Sequence, residues 1–163
     1  MFREMRRFKQ LLSKEDTEAI LNRNSAGVMS VIGDEGYPYG VPISYVYHEG
    51  KLYFHCAKDG HKMDAIRACD KASFTVIDTN DVKEEEYTTY FRSVIAFGHV
   101  KEVNTKEEIE EALYVLSLKY SPSIPKDKVR EHAKDGAGRT AVLVMEIEHM
   151  TGKEAIELVN MKK

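Results

Sequence analysis

Apolar and polar residues alternate from Ala26 to Ile32, with Val28, Ser30 and Ile32 opposed to Met29 and Val31. A period of two is that of a half-buried strand. Gly33-Asp-Glu-Gly36 has the composition of a hairpin turn, and residues 39–47 read as the returning strand. Pro42 lies inside that strand and cannot donate to a ladder. The strand is therefore predicted to be an edge, or to carry a bulge there. Either case leaves backbone groups near Val41 and Ile43 free for a planar polar ligand; a plain edge-strand proline is the alternative. His48-Glu49-Gly50 turns the chain into a third strand containing Leu52, Tyr53 and Phe54. Alternation resumes over 72–78, and a long strand within 87–103 includes Arg92 to Val100. Gly98 inside it predicts a bulge or a close backbone approach. The last strand, 140–148, is apolar on both sides from Ala141 to Met145, as a centrally buried strand is.

Helical spacing fills the intervals. Ser13 is placed to cap a helix with acids in its first turn, running through Ala19, Ile20 and Leu21. Met63, Ile66 and Cys69 recur at helical spacing after a turn at Lys58-Asp59-Gly60, with Asp59 as the expected N-cap. Thr105-Lys-Glu-Glu108 reads as a capping box before Ile109, Ala112, Leu113 and Leu116 on one face, and its glutamates as a solvated outer face. Pro125 suits the first position of a short helix through Val129 and His132. Residues 1–12 read as an arm or first strand, 79–86 as an acidic loop, 134–139 as a flexible loop, and the segment after Thr151 as a polar surface tail. Six strands joined mostly by short connections predict a mainly β fold with peripheral α, an antiparallel barrel in a single domain spanning 1–163.

Composition narrows the function. Of 163 residues, 42% are hydrophobic and 31% charged, which suits one globular domain with a real core. The net charge of -3 does not point to nucleic acid or an anionic membrane. No apolar run approaches ~20 residues, and the basic N-terminus has no apolar stretch behind it, so neither a membrane span nor a secretory signal is expected. The two cysteines, Cys56 and Cys69, lack a Cys-x-x-Cys spacing, and the simplest expectation is a reduced, cytoplasmic protein.

The chemistry concentrates in residues 53–66, a strand running into a helix. A helix start offers free N–H groups and the positive end of the macrodipole. His61 and Lys62 sit in that first turn, where cations are unfavourable without an anion. A bound phosphate would satisfy these groups together; a solvated strand-to-helix connection is the alternative. A metal site built from His55, Cys56, His61 and Cys69 is disfavoured. Consecutive strand residues point to opposite faces, and no zinc-type spacing is present. Cys69 reads as part of the apolar helix face rather than as a nucleophile.

The ordered set Val41-Pro-Ile-Ser-Tyr45, Gly50-Lys-Leu-Tyr-Phe-His55, Gly60-His-Lys62 and Tyr90-Phe-Arg-Ser-Val-Ile-Ala-Phe-Gly98 resembles the pyridoxamine 5'-phosphate oxidase-like split-barrel flavoproteins, in particular the 5-nitroimidazole-resistance (Nim-type) group. The resemblance implies a six-stranded split barrel that forms a homodimer, with FMN in each of two grooves at the subunit interface. It implies backbone contacts to the flavin ring from the strand at Val41, Pro42, Ile43 and Ser44. It also implies that His55, Cys56 and Ala57 line the ribityl chain and ring. His61 and Lys62 would hold the phosphate, with Lys58 nearby, and Arg92 and Ser93 would approach the flavin. Arg139 or Thr140 would reach across from the partner. His61 and the acidic Glu84-Glu-Glu86 depart from the group's pattern, as does the absence of tryptophan. The implied activity is reduction of a small electrophile such as a nitroaromatic, with NAD(P)H binding transiently. His55 faces the chemistry in this reading; a core histidine bonded to a backbone carbonyl is its alternative. A non-catalytic FMN dimer that stores or senses flavin is the alternative function. Pyridoxamine-phosphate oxidation itself is not expected, because the basic substrate pocket and C-terminal motif find no match.

Overall fold

The computed structural model describes residues 1–162; the last residue of the predicted tail, Lys163, lies outside them. Seven strands form one antiparallel sheet in the order β2-β1-β5-β6-β7-β4-β3. They are β1 (Ala26–Ile32), β2 (Pro38–Ser44), β3 (Val46–His48), β4 (Lys51–Cys56), β5 (Lys71–Lys83), β6 (Thr88–Glu102) and β7 (Ala141–Glu154). The helices are α1 (Lys14–Arg23), α2 (His61–Ala68), α3 (Lys106–Tyr120), α4 (Lys126–Gly136) and α5 (Ile156–Met161). The sheet curls without closing, which is the split-barrel architecture. Strands from both halves of the order, with α1 and α2, feed one core that includes Leu21, Met29, Phe54, Met63, Phe74, Val94 and Leu143. Burying each such side chain contributes about 1.5–3 kcal/mol. No helix among the described residues is long and apolar enough to cross a membrane.

Six expected strands become seven because the returning strand breaks at Tyr45. Its side chain is fully buried, and its hydroxyl donates to the Leu21 carbonyl at 2.7 Å. Its own N–H leaves the ladder to meet Tyr120 Oη (3.0 Å) and the Ser25 carbonyl (3.3 Å). A buried tyrosine that must satisfy its hydroxyl thus sets the corner.

Other boundaries also moved. The ladder between β5 and β6 continues past a bulge at Ile77/Thr79, from Thr79 opposite Arg92 to Lys83 opposite Thr88. Most of the expected loop 79–86 is therefore a protruding two-stranded ribbon, whose polar side chains resemble a loop in composition. Strand β7 runs to Glu154, and α5 follows, so the tail is structured; Glu154 and Ala155 are buried. The predicted loop 134–139 begins inside α4, which ends at Gly136. Residues Phe8 to Gln10 form a 3-10 turn in an arm that bridges to Lys153 through Leu11.

The caps divide. Ser13 Oγ accepts from the Asp16 N–H at 3.0 Å, as expected. Thr105 occupies the N-cap of α3 without a side-chain bond, and Gly60, not Asp59, caps α2. At φ +125° and ψ 170°, that position belongs to a residue without Cβ. Gly98 meets its expectation: the β6–β7 register shifts between Phe97 and Gly98, and a Cβ there would lie 2.0 Å from the Glu146 carbonyl oxygen.

A second apolar layer forms where α3 and α4 cover β4 and β7. Ala112, Leu113, Leu116 and Ala133 pack with Tyr53, Val142 and Val144, while Ala141, Leu143 and Met145 face the barrel core. This explains the unbroken apolar run at Ala141 to Met145: β7 is buried on both faces.

Candidate functional site

Strand β2 is an edge of the sheet, and Pro42 sits opposite Val28 with no shift of register. The edge reading of that proline therefore holds, and the bulge does not. Val41, Ile43 and Ser44 are half-buried and Pro42 is exposed; Ile43 packs against the barrel core. The far side of β2 has no strand partner among the described residues.

The start of α2 meets this edge strand. The His61 ring stacks on Tyr39 with centroids 4.2 Å apart and planes 14° from parallel. The Asp34 N–H donates to His61 Nε2 at 3.3 Å, which requires that nitrogen to be unprotonated. The Asp34 carboxylate lies 3.6 Å from the same atom. His61 is thus engaged by the β1–β2 turn. Lys62 lies beside Cys56: burial pushes the Cys56 thiol up from its ordinary value, and the Lys62 ammonium partly pulls it back. Cys56 Sγ also lies 3.6 Å from Met63 Sδ, toward the barrel interior.

The turn between β4 and α2 is held from two sides. Lys58 Nζ donates to the Gly138 carbonyl at 2.7 Å, tying this turn to the one before β7. Arg67 Nη2 donates to the Lys58 carbonyl at 3.1 Å, while its Nε meets Glu102 at 2.7 Å. Ala57 is exposed at the turn itself.

His55 points the other way from Cys56, as strand alternation requires. It lines a cavity of about 370 Å³ between the α3–α4 hairpin and the β4–β7 sheet, with Ser117, Tyr120, Lys128, His132 and Thr140. Thr140 belongs to its own chain's cavity, and Arg139 is exposed.

Arg92 and Ser93 are not brought to the β2–α2 seam within one chain. Arg92 Nε donates to Glu154 at 3.2 Å and lines a small depression with Asp16, Ile20 and Arg23 of α1. Glu154 is buried and also receives Lys162 at 2.7 Å. Ser93 takes the opposite face of β6, opposite Ile77 and Lys153.

Sequence reasoning missed Tyr39 and Asp34 as the partners of His61, and Gly138 as that of Lys58. It also missed Lys128 and His132 on the cavity wall. Their spacing of four on a helix carrying Val129 and Ala133 was the available signal.

The family model described as pyridoxamine 5'-phosphate oxidase matches residues 13–154. No curated protein matches the chain. Among solved structures, a candidate 5-nitroimidazole antibiotic resistance protein of Bacteroides thetaiotaomicron is 23% identical, with a TM-score of 0.71 over 88% of this chain and 86% of that one. An FAD-binding protein of Mesorhizobium loti is 22% identical, with a TM-score of 0.64 over 90% of this chain and 97% of that one. An FAD- and heme-binding protein of Mycobacterium smegmatis is 18% identical, with a TM-score of 0.74 over 95% and 80%. These likenesses give the same fold. With the family model spanning all seven strands and the β2–α2 seam, the chain belongs to the pyridoxamine 5'-phosphate oxidase family.

Proposed function

We propose that the chain binds FMN along the seam between β2 and the β4–α2 turn and uses it to reduce a small electrophile such as a nitroaromatic. The observation that carries this reading is the meeting of a free strand edge with a helix N-terminus, at the Tyr39–His61 stack. The family and the flavin binding named for the Mesorhizobium and Mycobacterium structures support it. The nitroaromatic preference draws on the Bacteroides neighbour.

The residues present fit such a group. The Met63 N–H meets the Gly60 carbonyl at 2.8 Å, while the N–H groups of His61 and Lys62 have no partner among the described residues; with the Lys62 ammonium beside them, this setting suits one phosphate. Backbone groups of Val41, Pro42, Ile43 and Ser44 would face the ring edge, and the backbone of His55, Cys56 and Ala57 would wall the chain between. Bound flavin supplies hydride or electron transfer. The protein's part is to hold it and to present a proton donor, His55, from the cavity side. His61 and Lys58 join the phosphate only by leaving Asp34 and Gly138. Arg92 and Ser93 enter through a second copy of the chain: Ser93 shares the outer sheet face with Ile77, Ile95 and Phe97, which are 66%, 38% and 37% exposed. Such a face supports a homodimer.

Acid extraction of the purified protein followed by mass measurement identifies the flavin, FMN being the expected species. Anaerobic mixing with NADH and NADPH then separates function from storage. Bleaching of the flavin bands by either donor, followed by reoxidation with a nitroaromatic, is expected. A bound flavin that no donor reduces would leave a storage or sensing dimer.

A further inference from the structure

We propose that the cavity between the α3–α4 hairpin and the outer face of β4 and β7 is the acceptor-substrate pocket, and that it selects a small planar molecule bearing a carboxylate. The acceptor role rests on the flavin reading above; the carboxylate selectivity rests on the cavity alone.

The walls are built from repeating spacings. Lys128 and His132 stand one turn apart on α4, and Ser117 of α3 and Ser121, the residue that caps its C-terminus, line the same space. His55 closes it from β4. No aspartate or glutamate lines the cavity, although acids outnumber bases in the chain, 27 to 24. On the same helix Arg130 is held by Glu111, whereas the exposed Lys126 and Lys134 meet no carboxylate among the described residues. Lys128 has no such partner among the described residues. A lysine, two histidines and two serine hydroxyls around one space supply donors for an anion and offer it no like charge.

The remaining surface is mostly apolar, from Leu113, Leu116, Val129 and Ala133, with Tyr120 and Thr140 as its other polar groups. It suits the faces of a ring. About 370 Å³ is near the lower end of ligand cavities, which run roughly 300–1,000 Å³. That admits one substituted ring and excludes a dinucleotide, so a nicotinamide donor would use the open seam instead. The His55 side chain enters the cavity, and the two residues after it, Cys56 and Ala57, carry the chain to the β4–α2 turn.

Calorimetric titration with 4-nitrobenzoate and with neutral 4-nitrobenzyl alcohol tests the assignment, using FMN-saturated protein and, separately, flavin-free protein. The carboxylate is expected to bind about tenfold more tightly than the alcohol, the scale of one charge-assisted hydrogen bond. Lys128→Ala with His132→Ala should abolish that preference while FMN affinity stays unchanged. Lys128→Gln alone, checked for an unaltered melting temperature, guards against misfolding of the double variant. Equal affinity for the two probes, or a preference that survives in a folded variant, would overturn the proposal. Protein that takes FMN but neither probe overturns the pocket and spares the flavin reading. Protein that takes 4-nitrobenzoate but no FMN overturns the acceptor role.

Discussion

Tyr39 and His61 stack at 4.2 Å across the seam between an edge strand and the first turn of α2. The contact fixes where that helix begins relative to the strand, and so where its free N–H groups point. With His61 occupied by Tyr39 and Asp34, Lys62 is left as the cation of that turn. Lys62→Ala is expected to weaken FMN binding by about 1–3 kcal/mol, as loss of a charge-assisted hydrogen bond does. Fluorescence titration measures it directly, and unchanged affinity would remove Lys62 from the phosphate site.

Gly98→Ala tests the β6 bulge. The added methyl would lie 2.0 Å from the Glu146 carbonyl oxygen, a distance only backbone movement can relieve. We expect a loss of at least about 2 kcal/mol in urea unfolding. A variant as stable as the parent would show that this crossing is looser than described.

Lys119 gives stability a pH dependence. Its ammonium lies 4.1 Å from the Tyr45 ring centroid and donates to the Leu21 carbonyl at 3.3 Å. Burial nevertheless pushes it down from 10.5 to about 8. Between these values the unfolded chain binds more protons than the folded one, so stability rises with pH. The penalty of holding the charge is complete below about pH 8 and is relieved as pH climbs through 10.5. Because the group is half-exposed, solvent screening limits the effect to on the order of 1 kcal/mol. Lys119→Met should remove this rise, so the parent's stability relative to the variant should increase between about pH 7.5 and 9.5. Parallel pH profiles would count against the burial argument.

The outer sheet face supplies a fourth prediction. Ile77, Ile95 and Phe97 are exposed there, and sedimentation should find a dimer at micromolar concentration. Ile95→Lys places a charge in that face and should yield a folded monomer with weakened flavin binding. A parent protein that sediments as a monomer would contradict a shared cofactor groove.

Much of this architecture was legible because local pattern and tertiary environment agree. Alternation found β1 and β6, Gly98 announced the bulge, and the run from Ala141 to Met145 announced a strand covered on both faces. The break at Tyr45 was not legible, because it answers to Leu21 and Tyr120, which lie far away along the chain. The polar ribbon at 79–83 was hidden for the opposite reason: its ladder is made by backbone groups, while composition reports side chains. At the site, period two separated His55 from Cys56 correctly. The partner of Arg92, Glu154, lies 62 residues further on and leaves no local trace. The cavity was invisible for the same reason, since it exists only where a helical hairpin rests on a sheet.

Strand β4 is one residue thick, yet it separates two compartments: Phe54 and Cys56 face the barrel core, while Tyr53 and His55 face the helical hairpin. Its pairing with β7, from Lys51 opposite Glu146 to Cys56 opposite Ala141, therefore decides more than stability. A slip of one residue would turn the imidazole into the oil of the barrel and the thiol into the cavity. Which side chain faces the cavity is thus written in a hydrogen-bond register, and mutations that loosen that ladder should alter what the cavity binds before they unfold the protein.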